Sequence, residues 1–219
     1  MATTSTMFNA ESRILKAEDQ INEHEETVSK IVNDYQIQLK EDSVIRKDLE
    51  RVFIASVEEF HVVERDGHHI KCLLVKLPYK SFEPYTRIRS AFVGHLERKL
   101  NCMVFVVGMR KILSKRVKTP GVKKRPISRT LTHVFNCLLD DVCLPSQIVG
   151  KQIRVHTDGT QTMKVFLDPL DKEKVEDRLD AMSEAYKKLT TRKVKFFFAK
   201  PTKFQKQLAE FKKKQQNKA

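Results

Sequence analysis

"RVFIASVEEFHVVERDGHHIKCLLVKL" (residues 51–77) is the stretch whose reading decides the fold. It is rich in Val, Ile and Phe, and it breaks at Asp66-Gly67. An Asp-Gly pair between β-prone runs is a strong hairpin signal, because both positions of a two-residue turn need φ > 0. The same pattern returns in "IVGKQIRVHTDGTQTMKVFLD" (residues 148–168), which turns at Asp158-Gly159. After the first hairpin, Pro78 and Pro84 punctuate the exit, and Ile88, Ala91, Phe92, His95, Leu96 and Leu100 recur at helical spacing. "CMVFVVGMRKIL" (residues 102–113) then reads as a buried strand, with Gly108 marking a bulge or a close backbone approach. After the second hairpin, Pro169 closes the run. Val175, Leu179, Met182, Tyr186 and Leu189 give another helix, and "KVKFFF" (residues 193–198) another buried strand.

Hairpin, helix and strand therefore occur twice in the same order. Gly67 precedes Pro78 by 11 residues and Gly159 precedes Pro169 by 10, while Phe105 and Phe197 each lie 38 beyond their glycine. Such an order predicts an α+β fold, with helices packed on mixed or antiparallel sheets. Ahead of it, Val28, Ile31, Val32, Tyr35 and Leu39 mark one amphipathic helix, and Ile45 and Leu49 a shorter one. Between the halves, Leu131, Val134, Phe135, Leu138, Leu139 and Val142 form the cleanest amphipathic helix in the chain. The expected organisation is a polar N-terminal segment (1–26), one α+β domain (27–198) and a basic C-terminal extension (199–219). In the last, Phe204, Leu208 and Phe211 sit at helical spacing.

With 219 residues and 40% apolar content, the chain can build a core. No apolar run approaches the roughly eighteen residues of a membrane span. The start, "MATTSTMFNAESR", lacks the basic patch and apolar block of a secretory signal. Cys72, Cys102, Cys137 and Cys143 form no CxxC pair and read as reduced thiols of a cytosolic or nuclear protein.

Charge is the first functional signal. The net charge is +14, but residues 1–97 carry −4 and residues 140–191 carry −2. All the excess lies in residues 98–139, at +11, and 192–219, at +9. Blocks of this kind point to a polyanion, nucleic acid before an acidic membrane surface, although they also suit a nuclear import signal. The first block peaks in "RKILSKRVKTPGVKKRPISR" (residues 110–129), with nine cations and no acid. Arg110, Lys111, Lys115, Arg116, Lys118, Lys123, Lys124, Arg125 and Arg129 are the candidate phosphate contacts. A loop pinned at both ends keeps its charges local and loses less entropy on docking than a free tail. Ser128 and Thr130 lie at the following helix N-terminus, where amides favour a phosphate; both equally suit plain N-caps. Lys212, Lys213 and Lys214 of the tail complete the candidate set. Aromatic residues are not interleaved in the loop, so backbone and shape contacts are expected rather than base stacking.

No catalytic pattern stands beside this. There is no Walker loop, GxGxxG, HExxH or GxSxG. His68 and His69 are adjacent on a strand and so point to opposite faces. Asp140-Asp141 could serve metal-assisted nuclease chemistry, but neighbouring helical positions diverge and no third carboxylate is near in sequence. No enzyme activity, cofactor or metal is expected.

Several segments carry a resemblance. "RP-x-SRTLT" (Arg125 to Thr132), "LPSQIVGK-x-IRV" (Leu144 to Val155), "DG-x-x-x-x-KV-x-LD" (Asp158 to Asp168) and "AYKKLT-x-[RK]-x-V-x-F" (Ala185 to Phe196) resemble the eukaryotic ribosomal protein seven family of the small (40S) subunit. That family is distinct from the bacterial protein of the same number. The resemblance spans about residues 8–198, is strongest from 104 onward, and leaves 199–219 without a guide. It implies a structural, rRNA-binding constituent of the small subunit in the cytoplasmic ribosome. It also implies a part in rRNA maturation and subunit assembly beginning in the nucleolus, with neighbouring ribosomal proteins and assembly factors as partners and no membrane. The rRNA-facing role falls on Arg110, Lys111, Lys123, Lys124, Arg125 and Arg129, and more loosely on Lys115, Arg116 and Lys118. Ile127 stands where the family usually has another basic residue. The rival reading is a free nucleic-acid-binding assembly factor that leaves the mature ribosome.

Overall fold

The computed structural model describes residues 13–16, 20–40, 43–63, 69–114 and 125–200. They fall into two compact units, Met1–Asp141 and Val142–Ala219. The Asp66-Gly67 turn, the loop cations Lys115, Arg116, Lys118, Lys123 and Lys124, and the tail cations Lys212, Lys213 and Lys214 lie outside the described residues.

In the first unit, strands β1 (Ser56–Val63), β2 (His69–Leu77) and β3 (Met103–Gly108) form a sheet in that order. β1 and β2 are antiparallel, and β2 and β3 are parallel. A parallel pair needs a long crossover, supplied by α3 (Tyr79–Leu100). Helices α1 (Glu23–Gln38) and α2 (Val44–Glu50) precede the sheet, and α4 (Leu131–Cys143) follows it. Val57, Leu73, Val75, Leu77, Val104 and Val106 face one side and pack with Val28 and Val32 of α1 and Tyr85, Ile88, Phe92 and Leu96 of α3. Residues 13–15 belong to this unit as well. Ile54 N–H donates to Arg13, Leu15 N–H donates to Ile54, and the Arg13 side chain reaches the Leu49 carbonyl at 2.6 Å. The few apolar residues ahead of 27 hid this pairing, which rests on backbone hydrogen bonds.

The second unit repeats the plan. β4 (Ile148–Val155), β5 (Gln161–Leu167) and β6 (Lys193–Phe198) lie in that order, with β4 and β5 antiparallel and β5 and β6 parallel. The crossover from Pro169 contains α5 (Lys172–Val175) and α6 (Leu179–Thr190), separated by a 3-10 turn. One continuous helix was the expectation here.

Two other sequence expectations change. α3 starts at Tyr79, not near Ile88, because Pro84 is accommodated inside the helix and buried. Its ring removes one bond, the one an N–H would make to the Lys80 carbonyl near the helix start. The second hairpin is not a two-residue turn with two positive φ values. His156 N–H donates to Thr160, Gly159 N–H donates to His156, and only Gly159 has positive φ, at 74°. Thr157, Asp158 and Gly159 thus form a three-residue loop that closes on a left-handed glycine.

Candidate nucleic-acid interface

The described ends of the basic loop are tied to the fold and to each other. Leu113 N–H donates to the Arg129 carbonyl at 3.0 Å, and the Arg125 guanidinium donates to the Leu113 carbonyl at 2.7 Å. The two chain segments that enter and leave the loop therefore meet at a closed neck.

Beneath the neck is an ion pair. Arg110 makes a forked contact to Asp141 of α4, with Nη2 to Oδ1 at 3.2 Å and Nη1 to Oδ2 closer still. Nη1 also donates to the Gly108 carbonyl at 3.1 Å, and the guanidinium lies 5.3 Å from the centre of the Phe82 ring. Gly108 N–H completes the knot by donating to Asp141 at 3.2 Å. A Cβ on Gly108 would stand 3.1 Å from Phe82, which is the close approach that this glycine permits. Burial pushes the Asp141 carboxyl up, against the opposing pull of Arg110 and the Gly108 amide.

This geometry redistributes the candidate residues. Arg110 is half-buried, and its guanidinium is paired with Asp141 at the loop base. Lys111, Arg125, Ser128 and Arg129 are exposed. Thr130 precedes α4 with extended backbone, and its hydroxyl donates to the Ile127 carbonyl at 2.7 Å. The side chain of Ile127 is 79% exposed, an apolar interruption among the cations. Asp141 is consumed by Arg110, which removes the paired-carboxylate arrangement a nuclease metal would need. No cluster of three metal-binding side chains occurs among the described residues. Among those residues no helix is long and apolar enough to cross a membrane.

The reading of Phe196-Phe197-Phe198 as one buried run also changes. Phe196 is buried, but Phe197 is 40% exposed on the opposite face. Polar–apolar alternation from Lys193 to Phe196 is the signal that sets Phe197 on the face of Lys193 and Lys195, because successive strand side chains point to opposite faces.

Both units are α+β, and the basic segment enters and leaves the first of them through one hydrogen-bonded neck. A model of the family described as Ribosomal protein S7e matches residues 13–198, and the chain belongs to that family of ribosomal proteins. It is similar to a small ribosomal subunit protein eS7 of Manduca sexta, 34% identical over 75% of this chain and 86% of the relative. It is likewise similar to small ribosomal subunit protein eS7z of Arabidopsis thaliana, 35% identical over 88% of this chain and 97% of the relative. The eS7 of Drosophila yakuba is 40% identical over 58% and 68% of the two chains.

Proposed function

We propose that this protein is a structural constituent of the small ribosomal subunit that holds rRNA phosphates through its clamped basic loop. The observation that carries the reading is the closed neck, with Leu113 bonded to Arg129 and Arg125 bonded to Leu113. The closed neck presents Lys111 and Arg129 from one place, and arginine adds forked phosphate contacts. The partners are small-subunit rRNA and neighbouring ribosomal proteins in the cytoplasmic ribosome. Participation in rRNA maturation, beginning in the nucleolus with assembly factors, belongs to the same reading. Arg110 acts here as a positioning residue.

Replacing Lys111, Lys123 and Lys124 with Gln leaves the neck bonds intact and removes three charges. In sucrose gradients the variant is expected to shift from the small-subunit and polysome fractions to the top. Unchanged co-sedimentation would show that the loop is not the anchor. Absence of the native chain from mature subunits would instead favour the free assembly factor.

A further inference from the structure

The two sheets are in the same internal register. Each parallel strand partner lies 31 positions on, from Cys72 to Met103 and from Thr162 to Lys193. The units themselves superpose in sequence at an offset of 90, which takes Cys72 to Thr162 and Met103 to Lys193. α3 (79–100) matches the crossover from 169 to 190, and the left-handed residues that end them, Asn101 and Thr191, correspond. On the helix-facing side, matched positions are apolar in both units: Leu73 and Met163, Val75 and Val165, Leu77 and Leu167, Val104 and Val194, Val106 and Phe196.

The opposite side differs. In the first sheet, Cys72, Leu74, Phe105 and Val107 are buried there. Their counterparts are Thr162, Lys164, Lys195 and Phe197, and Met103 corresponds to exposed Lys193. β4 adds Gln152 and Arg154 to this face, by their pairing with Lys164 and Thr162. The strand residues on this face include no acid. Lys193, Lys195 and Arg154 make no ion pair among the described residues. Phe166 and Phe197 sit side by side with ring centres 6.2 Å apart, and the Lys164 ammonium lies 5.2 Å from the centre of the Phe197 ring.

We propose that this open face of the second sheet is an RNA-binding platform for a single-stranded segment, distinct from the loop. Phe197 offers a ring on which a base can stack, and Lys164, Lys193, Lys195 and Arg154 neutralise the flanking phosphates. Uniform positive charge favours RNA over a protein partner, whose docking surface would leave these cations in need of acids. The proposal rests on the reading of the chain as an rRNA binder and assigns that role a second surface.

The test uses the full chain and a fluorescent twelve-nucleotide oligo(U), with Lys164, Lys193 and Lys195 replaced by Gln in one variant and Phe197→Ala as another. Because the substituted positions are not core, unchanged thermal midpoints check the fold. The lysine variant is expected to bind at least tenfold more weakly. The slope of log K against log salt should become shallower by about 2, the value for three lost contacts on a single strand. Phe197→Ala should weaken binding with the slope unchanged. Either sheet variant binding like the native chain overturns the proposal. If the loop variant alone loses oligo(U), the loop reading survives without this one; if the sheet variants alone lose it, this one survives without the loop. Phe197→p-benzoylphenylalanine in intact subunits should photocrosslink to rRNA, and crosslinks to protein alone overturn the proposal.

Discussion

Arg110 and Asp141 are 31 positions apart in sequence, and each reads alone as a functional residue: one as a phosphate contact, the other as half of an acidic pair. Together they neutralise each other at the base of the loop. Removing one partner of such a pair leaves the other charge poorly solvated, at a cost of about 3–5 kcal/mol when burial is complete. Arg110 keeps 14% of its side chain exposed, so Asp141→Ala is expected near the lower end, about 3 kcal/mol by urea unfolding. The double change Arg110→Met, Asp141→Leu should recover part of that loss, because no charge is left unpaired while the Gly108 N–H still loses its acceptor. His95 makes a second prediction at this scale. It is buried against Tyr35 with ring centres 4.2 Å apart, and burial, with Arg98 and Lys99, holds its pKa below the ordinary value while Asp34 pulls the other way. The unfolded chain therefore takes up a proton near pH 6.5, before the folded chain does. The stability that His95 contributes is complete above that pH and is lost as pH falls toward the folded pKa. Urea midpoints measured from about pH 7.5 to 5.5 should fall, and His95→Phe should flatten the decline.

Elements add what residues cannot. α1 is held to the first sheet by Glu25, whose carboxylate is fully buried. Oε1 accepts the Val57 N–H at 3.1 Å and pairs with Lys16 at 2.5 Å, while Oε2 accepts the Asn22 N–H at 3.2 Å. Glu25→Ala strands the Val57 N–H, an orphaned buried donor that costs about 1–3 kcal/mol. Glu25→Gln keeps an acceptor and should cost less, with thermal midpoints ranking native, Gln, Ala. The helical repeat Val28, Ile31, Val32 and Tyr35 announces α1, but it carries no sign that a glutamate in the first turn is buried. Periodicity registers which side chains are apolar, not which polar one has found a partner across 32 residues. The same limit explains Pro84, whose effect on α3 depends on burial that the local sequence does not encode.

The molecule as a whole carries one plan twice, and the two copies differ in what they do with the face turned away from their helices. The loop and sheet variants, compared in one binding assay, apportion rRNA affinity between the two charged regions. The sequence by itself determined the α+β class, the repeated hairpin-helix-strand order and the position of the basic loop. It could do so because strand alternation, helical spacing and net charge are local properties of the chain. Tertiary structure alone decided that Arg110 is an anchor, that Asp141 is its partner, and that the sheet face Phe197 shares with Lys193 and Lys195 stays exposed. Those outcomes depend on residues that meet only after folding, when burial and pairing give the same side chain a different charge environment.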